Sequence, residues 1–85
     1  MQFEGAMVKE QGVTFAIVIV KRSVLQSSVR EDVRTEFSRV FPFGTPVILM
    51  ATDSRGIPEY HGRPDIVKFL ANVHPSRIPW KRYTL

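Results

Sequence analysis

Two rhythms of apolar residues run along the chain: unbroken apolar stretches, and stretches where an apolar residue returns every third or fourth position. They predict strands and helices respectively. Val13-Thr14-Phe15-Ala16-Ile17-Val18-Ile19-Val20 is a β-branched run apolar in both phases of its alternation, the pattern of a central strand covered above and below. Val47-Ile48-Leu49-Met50-Ala51 repeats that pattern. Ahead of them, Phe3 to Lys9 alternates weakly. Glu10-Gln11-Gly12 offers a turn with glycine free to take positive φ, so an opening hairpin is predicted. Between the two long strands, Val29, Val33, Phe37 and Val40 or Phe41 share one helical face, while Arg30, Glu31, Arg34 and Arg39 fall elsewhere. Ser28-Val29-Arg30-Glu31 reads as a capping box, and Pro42 with Gly44 stops the helix.

After the second long strand, Asp53-Ser54-Arg55-Gly56 turns the chain into a short return strand, where Pro58 removes a ladder donor and suits a sheet edge. Pro64 opens a helix with Ile66, Val67, Leu70 and Val73 as its apolar stripe and Phe69 at the margin. The expected fold is α/β, bordering on α+β: one domain over 1–85, a mixed sheet of about four strands in ββαββα order, and two helices. Residues 75–85 are expected to form an extended tail. A strand–helix–strand succession with short connections implies a parallel central pair.

That pattern carries a resemblance. Gly44-Thr45-Pro46-Val47-Ile48-Leu49-Met50, then Asp53…Gly56, then Tyr60-His61-Gly62-Arg63…Phe69-Leu70 looks like the closing strand–strand–helix half of thioredoxin-like proteins. The resemblance implies a cis Thr45–Pro46 bond and an extended partner docking beside it. The match covers about a third of the chain, and the sequence departs from it in two ways. The redox Cys-x-x-Cys is absent, and the helix ending at Phe41 runs directly into the strand, which favours a parallel pair where the family's arrangement is antiparallel.

Composition narrows the function classes. Folding at this length hides roughly 60–65% of the surface an unfolded chain exposes, so the core is small. The absence of cysteine removes disulfides, thiol redox chemistry and thiolate metal sites. The longest apolar run, Phe15 to Val20, is too short to span a bilayer, and the Met-Gln-Phe-Glu start lacks a signal-peptide pattern; a cytoplasmic location with no membrane partner is the expectation. Asp53, Ser54, His61 and His74 include the residue types of a hydrolytic triad, but no Gly-x-Ser-x-Gly elbow accompanies them, and Ser54 suits an ordinary turn. His61 with Asp65 or Glu59 gives two metal-ligand types at a spacing that chance supplies freely. Pro64-Asp65 resembles the opening of a nuclease motif, but no later carboxylate follows to hold magnesium. No enzyme activity, cofactor or metal is expected.

The charge is unevenly placed. The net +4 is supplied entirely by Lys68, Arg77, Lys81 and Arg82, because residues 1–65 carry eight basic and eight acidic side chains and no acid follows Asp65. These cations interleave with Trp80 and Tyr83. Cations neutralise phosphates and aromatic rings stack on unpaired bases, so Lys68, Arg77, Trp80, Lys81, Arg82 and Tyr83 form a candidate surface for single-stranded nucleic acid or an acidic protein. The other reading is that Ile78, Trp80 and Leu85 cover the sheet, with Lys81 and Arg82 as a solvated rim. A further expectation comes from packing. Two helices cover one face, leaving Ala16, Val18, Ile48 and Met50 on a second face that the tail or a second copy must cover, hence a homodimer.

Overall fold

The computed structural model describes residues 2–10 and 12–84. β1 (Gln2–Glu10) returns through Gly12, at φ 79°, into β2 (Val13–Ile19) as an antiparallel hairpin with Ala6 opposite Ile17. Gln11 of the expected turn lies outside the described residues. Two helices follow, α1 (Arg22–Leu25) and α2 (Arg30–Ser38), before β3 (Val47–Thr52) lies parallel to β2 with Ile17 opposite Ile48. β4 (Pro58–His61) folds back antiparallel on β3, and α3 (Pro64–Leu70) and a 3-10 turn at Pro75–Arg77 lead to β5 (Lys81–Thr84). β5 pairs antiparallel with β1, giving the sheet order β4-β3-β2-β1-β5. The result is a small mixed-sheet domain of the α+β class.

The main correction to the sequence reading is at the C-terminus. The expected tail folds back as a fifth strand, and α1 is a third helix. Tyr83 is seated opposite Phe3 and stacks on it at 5.2 Å between ring centres, with Phe41 edge-on to Tyr83 at 5.4 Å. Stacked and edge-on aromatic pairs contribute about 0.5–1.5 kcal/mol each beyond the area they bury, so this cluster fixes β5 against β1. Gly5 belongs to it: an added Cβ would lie 2.7 Å from the Ile17 carbonyl oxygen and 3.4 Å from both the Phe3 and Tyr83 rings. The two rings close over the backbone that glycine leaves bare.

Both sheet faces are covered within the chain. On one, Ala16, Val18, Val47, Leu49 and Ala51 join Phe3, Leu25 and Phe41, with Val33, Phe37 and Val40 of the α2 region packed against them. On the other, Ala6, Phe15, Ile17, Ile48 and Met50 join Ile66, Leu70 and Ile78, with Trp80 against them. Ala16 and Val18 therefore lie on the opposite face from Ile48 and Met50. In a parallel pair with Ile17 opposite Ile48, equal phases share a face. The uncovered face that motivated a homodimer does not exist, because α1 and α2 take one side while α3 and the 3-10 turn take the other.

Two local expectations also change. Helix α2 starts at Arg30, with Val29 at its cap position and no side-chain cap, and Ser27 Oγ accepts the Val29 N–H at 3.2 Å where Ser28 had been expected to cap. The helix is held instead by Arg34, whose Nη1 donates to the Val47 carbonyl at 3.2 Å. The Thr45–Pro46 bond is trans. The Asp53 turn forms as expected: Asp53 Oδ1 accepts from Arg55 N at 2.8 Å and Ile57 N at 3.0 Å, and Gly56 takes φ 80°. These bonds hold the Asp53 carboxyl below its usual range, the Ile57 amide first among them.

Candidate binding edge at the C-terminal strand

The six residues singled out by charge and aromaticity do not share one surface. Tyr83 points to the α2 face, where it is packed among Phe3 and Phe41. Trp80 belongs to the α3 face, where its Nε1 donates to the Pro75 carbonyl at 3.0 Å. The two rings lie on opposite sides of the sheet, each already engaged, so they form no shared stacking platform. Lys81 Nζ sits over the Tyr83 ring at 5.1 Å from its centre, and Arg82 Nη2 reaches Glu4 of β1 at 3.8 Å. Lys68 lies in the last turn of α3, and Arg77 ends the 3-10 turn beside Val8, Phe69 and Ile78. Arg77, Lys81 and Arg82 are each exposed, Lys81 and Arg82 on opposite faces of the edge strand β5.

Beside that strand lies an open groove of about 750 Å³. Its lining is Val33, Phe37 and Val40 from the α2 region, Thr84 of β5, and a charged rim of Asp32, Glu36 and Arg39. The spacing that gave α2 its apolar stripe produces this arrangement. Phe37 meets Phe3 edge-on at 4.9 Å on the sheet side, and the flank of the stripe stays open toward β5. Past the end of α2, Phe43 stands fully exposed in the Phe41–Pro46 loop, next to a second cleft lined by Ser38, Phe41 and Thr45.

The residues considered for catalysis are dispersed. Asp53 is occupied by its turn, Asp65 receives both Arg63 Nε and Nη2 at 2.8 Å, and Glu59 pairs with Arg22 at 3.6 Å. His74 Nδ1 accepts from Ser76 N at 3.2 Å. No group of three or more metal-ligating side chains occurs among the described residues. His61 does have a carboxylate partner, but from a different element than the sequence suggested. Its Nε2 lies 2.6 Å from Glu31 Oε2, and since a carboxylate only accepts, that nitrogen carries the proton. Arg34 completes the cluster, its Nε and Nη2 each donating to Glu31 at 2.9 Å. The Glu31 carboxyl is held down to about 2, by the Arg34 hydrogen bond first and His61 second. Sequence spacing could not show this pair, because it joins residues 30 apart, one in the first turn of α2 and the other at the end of β4.

One further polar group lies near a cleft. Tyr60 of β4 lines a space between the edge strand and α3, together with Val67, Leu70 and His74. Its hydroxyl oxygen is buried and has no hydrogen-bond partner among the described residues. Because that oxygen is closed off from solvent, a ligand in the cleft meets the ring and not the hydroxyl.

No protein-family model, no curated protein and no solved structure matches this chain.

Proposed function

We propose that this chain is a non-catalytic protein-interaction module that works by strand addition at the outer edge of β5, with the groove beside α2 receiving side chains of the added strand. One observation carries the reading: β5 is an edge strand, its outer backbone groups unpaired by the sheet, directly beside an apolar groove. An extended segment gains main-chain hydrogen bonds along such an edge, and every second side chain points to the groove side. Lys81 and Arg82 then set charge preference and rate of encounter more than affinity.

The disposition of the aromatic rings supports a polypeptide partner over single-stranded nucleic acid. Stacking on bases contributes about 1–3 kcal/mol per base, and it requires rings free on one side. Trp80 and Tyr83 are both engaged in the core and face opposite ways.

The test is amide and methyl NMR of the full chain against two probes. A panel of extended heptapeptides of varied charge should shift the amides of residues 81–84 and the methyls of Val33 and Val40, and N-methylation of alternate peptide amides should abolish the effect. A mixed single-stranded oligonucleotide should leave these signals in place. If the oligonucleotide instead binds with a log–log salt slope of about −2 to −4, the value for a few phosphate contacts, the nucleic-acid reading replaces this one.

A further inference from the structure

The strand that best fits this edge is β5 itself. Resting on the strand-addition reading above, we infer that the partner is a second copy of this chain. The two β5 strands pair antiparallel about a two-fold axis, making one sheet of both molecules.

The argument is one of charge order along the edge. β5 begins with its cations, Lys81 and Arg82, and ends at Thr84, which lines the groove together with Asp32 and Glu36 of α2 and with Arg39 just past it; Arg39 pairs with Glu36 at 3.6 Å, which leaves Asp32 as the rim's acid with no ion pair among the described residues. Basic groups therefore stand at one end of the edge and an acidic rim at the other. An antiparallel two-fold pairing superposes opposite ends, so the basic start of each strand falls on the acidic rim of the other copy. Centred on Tyr83, this pairing sets Arg82 against the partner copy's Thr84 and leaves Lys81 at the Thr84 end of that copy. The side of the sheet is also correct. Lys81 lies over the Tyr83 ring, on the face that bears α2, so it projects toward Asp32 of the other copy. Arg82, on the opposite face, is already balanced by Glu4.

A parallel pairing would instead align like charges and leave both acidic rims unmatched.

Size sets a further requirement. A stable interface buries about 1,200–2,000 Å² in total, and the four residues of β5 cannot supply that on their own. The groove walls, Val33, Phe37 and Val40, must be covered too. An interface at the small end of the range implies a dimer that exchanges with monomer as concentration falls.

The test uses sedimentation velocity of the full chain across a concentration series, with three variants: Lys81→Glu, Asp32→Lys, and both together. Both side chains are exposed, so the fold should survive, which circular dichroism checks. The wild type should shift from monomer to dimer with concentration. Each single reversal should weaken dimerisation about tenfold or more, and the double variant should recover it, because the same pair is re-formed with its signs exchanged. A monomer at every concentration overturns the inference. A dimer insensitive to the single reversals, or unrescued by the double, overturns it as well. The strand-addition reading fails separately, when no extended peptide perturbs residues 81–84; a monomer that still binds such peptides ends this inference and leaves that reading standing.

Discussion

Replacing Tyr60 by phenylalanine should make this protein more stable. The Tyr60 ring is packed with Ile66, Leu70 and their neighbours on the α3 face, while its hydroxyl oxygen is buried without a hydrogen-bond partner among the described residues. A buried polar group left unpaired costs about 1–3 kcal/mol relative to one that keeps its water or finds a partner. Tyr60→Phe keeps the ring and removes the cost, so a gain of about 1 kcal/mol is expected, and for a domain of this size that raises Tm by about 4–8 °C. Urea unfolding should show the gain as a higher midpoint at unchanged slope, since the surface exposed on unfolding hardly changes.

The same burial gives a second reading of that variant. Desolvation raises the Tyr60 phenol above its ordinary pKa. A group whose folded-state pKa is raised contributes stability that is fully present below its unfolded value, about 10, and lost as pH rises through the folded value. Wild type should therefore lose stability at alkaline pH more steeply than Tyr60→Phe. A variant less stable than wild type by more than about 0.5 kcal/mol would show that the hydroxyl is well satisfied, and two identical alkaline profiles would show that it is not desolvated; either refutes the reasoning.

Other expectations follow from the same packing. Gly62→Ala should destabilise by about 2–3 kcal/mol, because at φ 156° the new Cβ would stand 3.0 Å from the Val47 carbonyl oxygen and closer still to the Ile48 side chain; chemical denaturation measures it. Acid should remove the Glu31 contribution: the carboxyl is depressed from 4.5 to about 2, so its stabilisation is complete above the unfolded value and is lost as pH falls through the folded one. Glu31→Gln should accordingly flatten the acid limb of the stability profile over that window, and an unchanged limb would mean that the Arg34–Glu31–His61 cluster is not formed in solution. Phe43→Ser should leave stability within about 0.5 kcal/mol of wild type, since the ring is fully exposed, and a larger loss would place it in the core.

The parts of the fold legible in the sequence are those fixed by local pattern. β2 and β3 follow from unbroken β-branched runs, α3 from Pro64 and its apolar stripe, and the Asp53 turn from a side chain that can bond its own backbone. What escaped depends on distance or phase. β5 pairs with β1 from the other end of the chain, and Lys81-Arg82-Tyr83-Thr84 has too few apolar residues to announce a strand by itself. A strand apolar on both sides carries no sign of which residues face which helix; the register Ile17 opposite Ile48 decides that, and a one-residue slip would exchange the faces. The four-residue α1 is shorter than any helical period can reveal.

The candidate surface was legible in its charge and illegible in its geometry, for one reason: consecutive residues of a strand point to opposite faces. A linear reading places Trp80, Lys81, Arg82 and Tyr83 in one cluster. Strand pairing deals Tyr83 and Lys81 to the α2 side and Trp80 to the α3 side, and both rings enter the core. The aromatic residues thus attach β5 to the sheet and the cations remain along its margin. A partner meeting this margin finds backbone edge, charge and the apolar flank of α2, and no free ring. In the strand-addition reading proposed above, those three features suit an extended polypeptide, and their order along the edge favours a partner whose charges run the opposite way.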